Sequence, residues 1–164
     1  MKIVILSDTH GDFNRLLNVV ELNYDADLIL HLGDGANEFF KVKQMVKNIP
    51  MVMVKGNCDS PSYNLEKEKT FNFNGISLYA CHGDFFDVKN GLNNYIEFAK
   101  RLKFNIIAYG HTHKRFIQKT KDLFILNPGS LTLPRSYSAS YLILTIKNKE
   151  YDAKIVEYVW ILKL

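Results

Sequence analysis

The first third of the chain alternates short, wholly apolar runs with amphipathic stretches. Ile3-Val4-Ile5-Leu6 is continuous in its hydrophobicity, as expected of a strand covered on both faces. Phe13, Leu16, Leu17 and Val20 then recur at helical spacing, which predicts a helix over 13–23 with Asp12 as its N-cap. A second strand over 27–32, a weaker helix over 37–48 and a third strand over 51–54 follow, with Pro50 closing the last connection. This βαβαβ order implies a mainly parallel sheet with right-handed crossovers. Beyond it the pattern changes. Segments 70–73 and 76–80 flank Asn74-Gly75 and read as a hairpin. A helix is predicted over 91–102, a buried strand over 105–109, and a second hairpin from 116–119 and 123–126. Asn127-Pro128-Gly129-Ser130 reads as a turn, and segments 141–146 and 154–160 form a last pair of strands.

Composition narrows the class without changing this picture. The 164 residues fit one domain over 1–164, and 47% hydrophobic content is ample for a core. A net charge of +4 with dispersed lysines is too mild to indicate stable nucleic-acid binding. No apolar stretch approaches the length of a membrane span, and Cys58 and Cys81 read as free thiols, so a cytoplasmic location is expected. Apolar and aromatic residues near the C-terminus make a homodimer an expectation; Tyr137, Tyr141, Tyr151, Tyr158 and Trp160 read as core or interface aromatics.

The chemistry sits where strands end. Five apolar runs close into Gly-containing segments that bear Asp8 and His10, Asp34, Asn57, His82, and His111 with His113. Asp8 and His10, two apart, share one face if the strand stays extended over them; alone, the pair would better suit a turn or a cap. Four of the chain's five histidines belong to the set, and chance does not gather them at strand ends. Two carboxylates, one amide oxygen and four imidazoles suit manganese, iron(II) or zinc better than calcium or magnesium alone. Seven ligands exceed one tetrahedral site and suit two ions sharing a carboxylate.

Asp-x-His, Gly-Asp, Gly-Asn-x-Asp, His-Gly and Gly-His-x-His, in this order, resemble the signature of calcineurin-like metallophosphoesterases over residues 3–130. The short length, Gly56-Asn57-Cys58-Asp59 and Asn127-Pro128-Gly129-Ser130 look most like the small bacterial and archaeal phosphodiesterase branch, akin in fold to the retromer subunit Vps29. The resemblance implies a four-layer α-β-β-α sandwich of two mixed sheets. It implies a first metal on Asp8, His10, Asp34 and His113, and a second on Asn57, His82 and His111, with Asp34 bridging. Manganese is the expected ion; zinc, iron(II), nickel and magnesium are alternatives. The implied reaction is phosphodiester hydrolysis by a hydroxide bridging the two metals, on a small phosphoester, nucleotide-derived ones among the candidates. Asn57, His82 and Asp84 are the residues expected to take part in catalysis itself. The rival readings are a phosphomonoesterase on the same site and a Vps29-type scaffold that binds protein without turnover.

Two positions depart from the pattern. Larger members carry Gly-Asn-His-Glu, whose His serves the leaving group; here Cys58 stands in that place, read as a small buried residue beside the metals. Small phosphodiesterases usually read His-Gly-His; here it is His82-Gly83-Asp84. Asp84 would either orient a ligand or metal-bound water, or cap the next segment. His31 reads as a hydrogen-bonded core histidine, and Asp59 as a loop anchor accepting backbone N–H bonds. Lys55, Lys114 and Arg115 flank the motifs and would attract phosphate if they faced it.

Overall fold

The computed structural model describes residues 1–135 and 137–159. The leading apolar run becomes β1 (Lys2–Leu6), parallel to β2 (Leu28–His31), which pairs in parallel with β3 (Met51–Met53). The crossovers are α1 (Phe13–Leu22) and α2 (Ala36–Met45). Asp12 caps α1 as its position predicts, its Oδ1 accepting the Arg15 N–H at 3.0 Å. The second half supplies β4 (Glu68–Phe73), β5 (Ile76–Cys81), α3 (Asn93–Arg101), β6 (Ile106–Ala108), β7 (Arg115–Lys119), β8 (Phe124–Pro128), β9 (Ser140–Lys147) and β10 (Glu150–Glu157). Strands β9 and β10 return antiparallel to β1, so the first sheet runs β10-β9-β1-β2-β3; the second runs β4-β5-β6-β8-β7. Both sheets are mixed.

The alternation of side chains explains the continuous apolar runs. In β1, Ile3 and Ile5 face Leu78, Ile106 and Leu126 of the other sheet. Val4 and Leu6 face outward onto Leu16 and Val20 of α1 and Phe39 of α2. On the far side, Tyr79, Ile107 and Ile125 pack against Tyr95 and Ala99 of α3. The layers are therefore α-β-β-α. Each large aliphatic chain buried here contributes about 1.5–3 kcal/mol relative to exposure. Asn74 (φ 54°) and Gly75 (φ 93°) make the two-residue turn that pairs Phe73 with Ile76, as their sequence predicts.

Some boundaries differ from expectation. Strand β8 runs through Asn127 and Pro128, and the chain turns only at Gly129 (φ 78°); Pro128, at the strand's end, pairs with Arg115. Helix α2 stops at Met45, short of 48. The last strand starts at Glu150 and ends at Glu157, because its pairing with β9 extends to the Lys147–Glu150 turn. Trp160 lies outside the described residues. Tyr141 and Tyr158 are buried, whereas Tyr137 is exposed and rests on the Arg115 guanidinium at 4.6 Å. Among the described residues, no helix is long and apolar enough to cross a membrane.

Candidate metal centre

Strands β1, β2 and β3 point the same way, as do β5 and β6, and all five end at one edge of the sandwich. The loops leaving them bring all seven candidate ligands together. Asp8, His10 and His113 form one group, Asp8, Asp34 and His82 another, and His10, Asp34 and Cys58 a third; within each, the ligand atoms lie within 4.8 Å of one another. Asn57 Oδ1 and His111 Nδ1 stand 3.1 and 3.0 Å from His82 Nε2.

Atoms with lone pairs to offer a cation face one another at hydrogen-bond distance. His82 Nδ1 donates to Leu32 O at 2.7 Å, so in the neutral ring Nε2 is a lone pair. That lone pair meets Asn57 Oδ1, His111 Nδ1 and, at 3.4 Å, Asp34 Oδ2. His113 is fixed the same way: Nδ1 donates to Leu133 O at 2.8 Å, and Nε2 faces His10 Nε2 at 3.2 Å and Asp8 Oδ1 at 3.1 Å. Asp8 Oδ1 is buried and accepts no hydrogen bond. Lone pairs crowded this closely repel unless a proton or a cation sits among them. Protons answer partly. The Asp8 carboxylate raises the His113 pKa above the usual value against the pull of burial. Burial likewise opposes a charge on His82, yet Asp34 and Asp8 outweigh it and raise its pKa. Burial would lift the Asp34 carboxyl, but His82 and the Cys58 N–H hold it well below the carboxylate range. His111 moves the other way, lowered by burial and then by His82 and Lys89. Divalent cations fit the same donor set, since neutral imidazoles with fixed tautomers and ionised carboxylates are what such ions require.

Asp8 and His10 do not share a strand face. The strand ends at Leu6, and both residues turn in the left-handed region, at φ 55° and 40°. They converge because the loop runs alongside the segment that follows β2: Asp8 N–H donates to Gly33 O and His10 N–H to Asp34 O. Close approach of the loops depends on two glycines. A Cβ on Gly56 would lie 2.1 Å from Asp34 Oδ1, and one on Gly110 would lie 2.0 Å from Ser7 Oγ.

Asp59 anchors the centre as expected, accepting the N–H groups of Asp34, Gly35, Ala36 and Gly56 at 2.8–2.9 Å. His31 is a buried core histidine. Gly33 N–H donates to its Nδ1, its Nε2 donates to Thr9 Oγ1 at 2.9 Å, and Thr9 donates to Glu38 Oε1 at 2.5 Å. Burial lowers its pKa to about 4. Glu38, which also accepts the Gly11 N–H at 2.7 Å, carries no motif; its signal is an acid in the first turn of α2, three residues after Gly35. Ser130, inside the Asn-Pro-Gly-Ser segment, donates to Asp8 O at 2.7 Å and accepts from Thr132 and Leu133 N–H.

The two departures occupy different settings. Cys58 is exposed, not buried, and its Sγ joins His10 and Asp34. Partial desolvation of the thiol by its neighbours and the Asp34 carboxylate raise its pKa to about 11, so it is no thiolate nucleophile at neutral pH. Asp84 opens a 3-10 turn, Asp84–Phe86, after Gly83 (φ 106°). It belongs to none of the three ligand groups. Its charge is felt at His111.

Two clefts open beside the centre. One of about 300 Å³ is lined by His10, Asp34, Asn37, Cys58, Ser60 and Tyr63 among others, and the other, of about 530 Å³, flanks the His111–His113 loop. Lys114 and Arg115 line the larger; Lys55 lines neither.

The chain belongs to the calcineurin-like phosphoesterase superfamily, whose domain model matches residues 1–149. Membership of this metallophosphoesterase family implies divalent-metal binding, and the ligand groups above give that property a place. A probable metallophosphoesterase of Methanocaldococcus jannaschii is 30% identical over 161 residues, covering 95% of this chain and 81% of the relative. Phosphodiesterase YfcE of Escherichia coli is 27% identical, covering 86% and 85%. In fold, a predicted phosphoesterase of Streptococcus pneumoniae superposes with a TM-score of 0.82 at 22% identity, over 95% of this chain and 88% of that one. Vps29 of Entamoeba histolytica, in complex with zinc, gives 0.75 at 17%, over 96% and 99%.

Proposed function

We propose that this chain is a cytoplasmic, metal-dependent phosphodiesterase with a two-ion centre on Asp8, His10, Asp34, Asn57, His82, His111 and His113. The observation that carries this is the convergence of carboxylate, amide and imidazole ligand atoms, Asp34 being common to the His10 side and the His82 side. Relatives named phosphodiesterases favour the diester over the monoester. The unpaired Cys58 and Cys81 favour a reducing compartment.

Bound divalent cations, manganese by choice of ligands, would supply an activated water and neutralise the phosphoryl oxygens as charge builds. The chain's own residues set the geometry. Leu32 O and Leu133 O lock the His82 and His113 rings with Nε2 inward. The Cys58 N–H holds Asp34 Oδ1 at 2.8 Å, leaving Oδ2 toward His82. The exposed Asn57 amide would also be within reach of a substrate's phosphoryl oxygen. No histidine replaces Cys58 or Asp84 to protonate a leaving alkoxide, so good leaving groups are favoured.

Metal-stripped protein reloaded with Mn²⁺ is expected to cleave an aryl phosphodiester faster than the matching monoester. Asp34→Asn should lower that rate at least about a hundredfold. Faster monoester cleavage would make it a phosphomonoesterase, and metal binding without turnover of either would favour the scaffold. Asp84→His is expected to narrow the gap between aryl and alkyl diesters by about tenfold or more. An unchanged aryl-to-alkyl ratio would show that position 84 does not serve the leaving group.

A further inference from the structure

The larger cleft differs from the smaller in charge. Lys89, Lys114, Arg115 and Arg135 surround it, Tyr109 and Phe116 give it an apolar side, and no carboxylate lines it. The smaller cleft contains Asp34, Glu38 and Asp59 and no lysine or arginine. The cations are tied to the candidate centre through the backbone. Lys114 and Arg115 follow His113 directly, and Arg135 N–H donates to His113 O at 3.0 Å. Lys89 follows the turn after His82 and Gly83. Thr112, between the two histidines, lies on the cleft wall. Arg115 is held by Glu157 at 2.7 Å and by Tyr137, which makes it a fixed part of the wall. Among the described residues, Lys89, Lys114 and Arg135 form no ion pair. Like charges gathered around one concavity repel one another, and an anion seated there relieves them.

A phosphodiester has two ester arms, and the centre has two clefts, one built by loops of each sheet. We propose that the basic cleft is a subsite for a second anionic group, phosphate or carboxylate, on one arm of an unsymmetrical phosphodiester whose other arm is uncharged. This specifies the substrate class of the phosphodiesterase reading and rests on it. Tyr109 and Phe116 would cover the apolar part of the anionic arm, as they would a ring or a short chain.

The test uses Mn²⁺-loaded protein and three p-nitrophenyl diesters whose second alcohol is uncharged, carries a terminal phosphate or carries a terminal carboxylate. Wild-type kcat/KM is expected to favour an anionic arm about tenfold, the advantage shrinking with added salt. The charge that gains more identifies the group. Lys89→Ala with Arg135→Ala should cut kcat/KM for the favoured anionic diester at least five times more than for the uncharged one. Lys149→Ala, at the β9–β10 turn, should leave both as they are. Equal rates on all three diesters, or equal losses in the double variant, would overturn the proposal. If no diester is cleaved, the phosphodiesterase reading falls and the cleft is read by calorimetry, titrating the phosphorylated alcohol alone into stripped protein. Binding lost in the double variant would support the subsite; no binding to the wild type would overturn it.

Discussion

Asp8, His10, Asp34, His111 and His113 hold backbone φ between 40° and 63°, the left-handed region that residues with a Cβ rarely occupy. Five of seven candidate ligands thus sit in a conformation costing of order 1 kcal/mol each. The surrounding hydrogen bonds impose it: His111 N–H, for one, is pinned to Asp8 Oδ2 at 3.1 Å. This strain is testable. In metal-free protein, His111→Gly should be about 1 kcal/mol more stable than His111→Ala by urea denaturation, because glycine alone relaxes there. Equal stabilities would mean that no strain is stored. At this scale the sequence was legible in identity but not in conformation. Spacing named Asp8 and His10, yet suggested a shared strand face; the left-handed turn that joins them depends on contacts with Gly33 and Asp34, far along the chain. Cys58 was read as buried because its small size suited a crowded loop, whereas it lies exposed beside His10 and Asp34.

Elements hold this geometry through a few buried polar ties. Thr9, His31 and Glu38 join the loop after β1, the strand β2 and the helix α2. His31 was readable as a core histidine; its partner Glu38 was not, since an acid on an amphipathic helix ordinarily faces water. The tie has a pH signature. The folded pKa of His31, about 4, lies below the unfolded value of 6.5. The unfolded chain therefore takes up a proton in that window and the folded one does not. The stability is present above pH 6.5 and is lost as pH falls toward 4, to the extent of about 3 kcal/mol. Denaturation of stripped protein at about pH 7 and about pH 4.5 should show this loss, and His31→Gln should remove most of it. An identical pH slope in the variant would mean that His31 charges freely in the fold.

For the molecule as a whole, the sandwich that the family resemblance implies meets a need legible in the sequence: strands apolar on both faces need cover on both. Ile3 and Ile5 find it in the second sheet, Val4 and Leu6 in the helices. The Asn-Gly hairpin and the periodic helices were equally readable, because their signals are local. The order of strands in the second sheet, and the separation of the clefts into a basic and an acidic side, were not; both arise from residues distant in sequence. Lys89, Lys114 and Arg135 look dispersed along the chain and gather only when it folds.

The central claim is that the crowded acceptors are a two-ion centre, and calorimetric titration of Mn²⁺ into the stripped protein tests it most directly. Two ions per chain are predicted, with binding weakening as pH falls, because the neighbouring carboxylates raise the pKa of His82 and His113 and protons compete with the metal for both rings. Asp34→Asn should lose both ions, since that carboxylate belongs to both sides. No binding by the wild type, or two ions retained at full affinity in Asp34→Asn, would contradict the account.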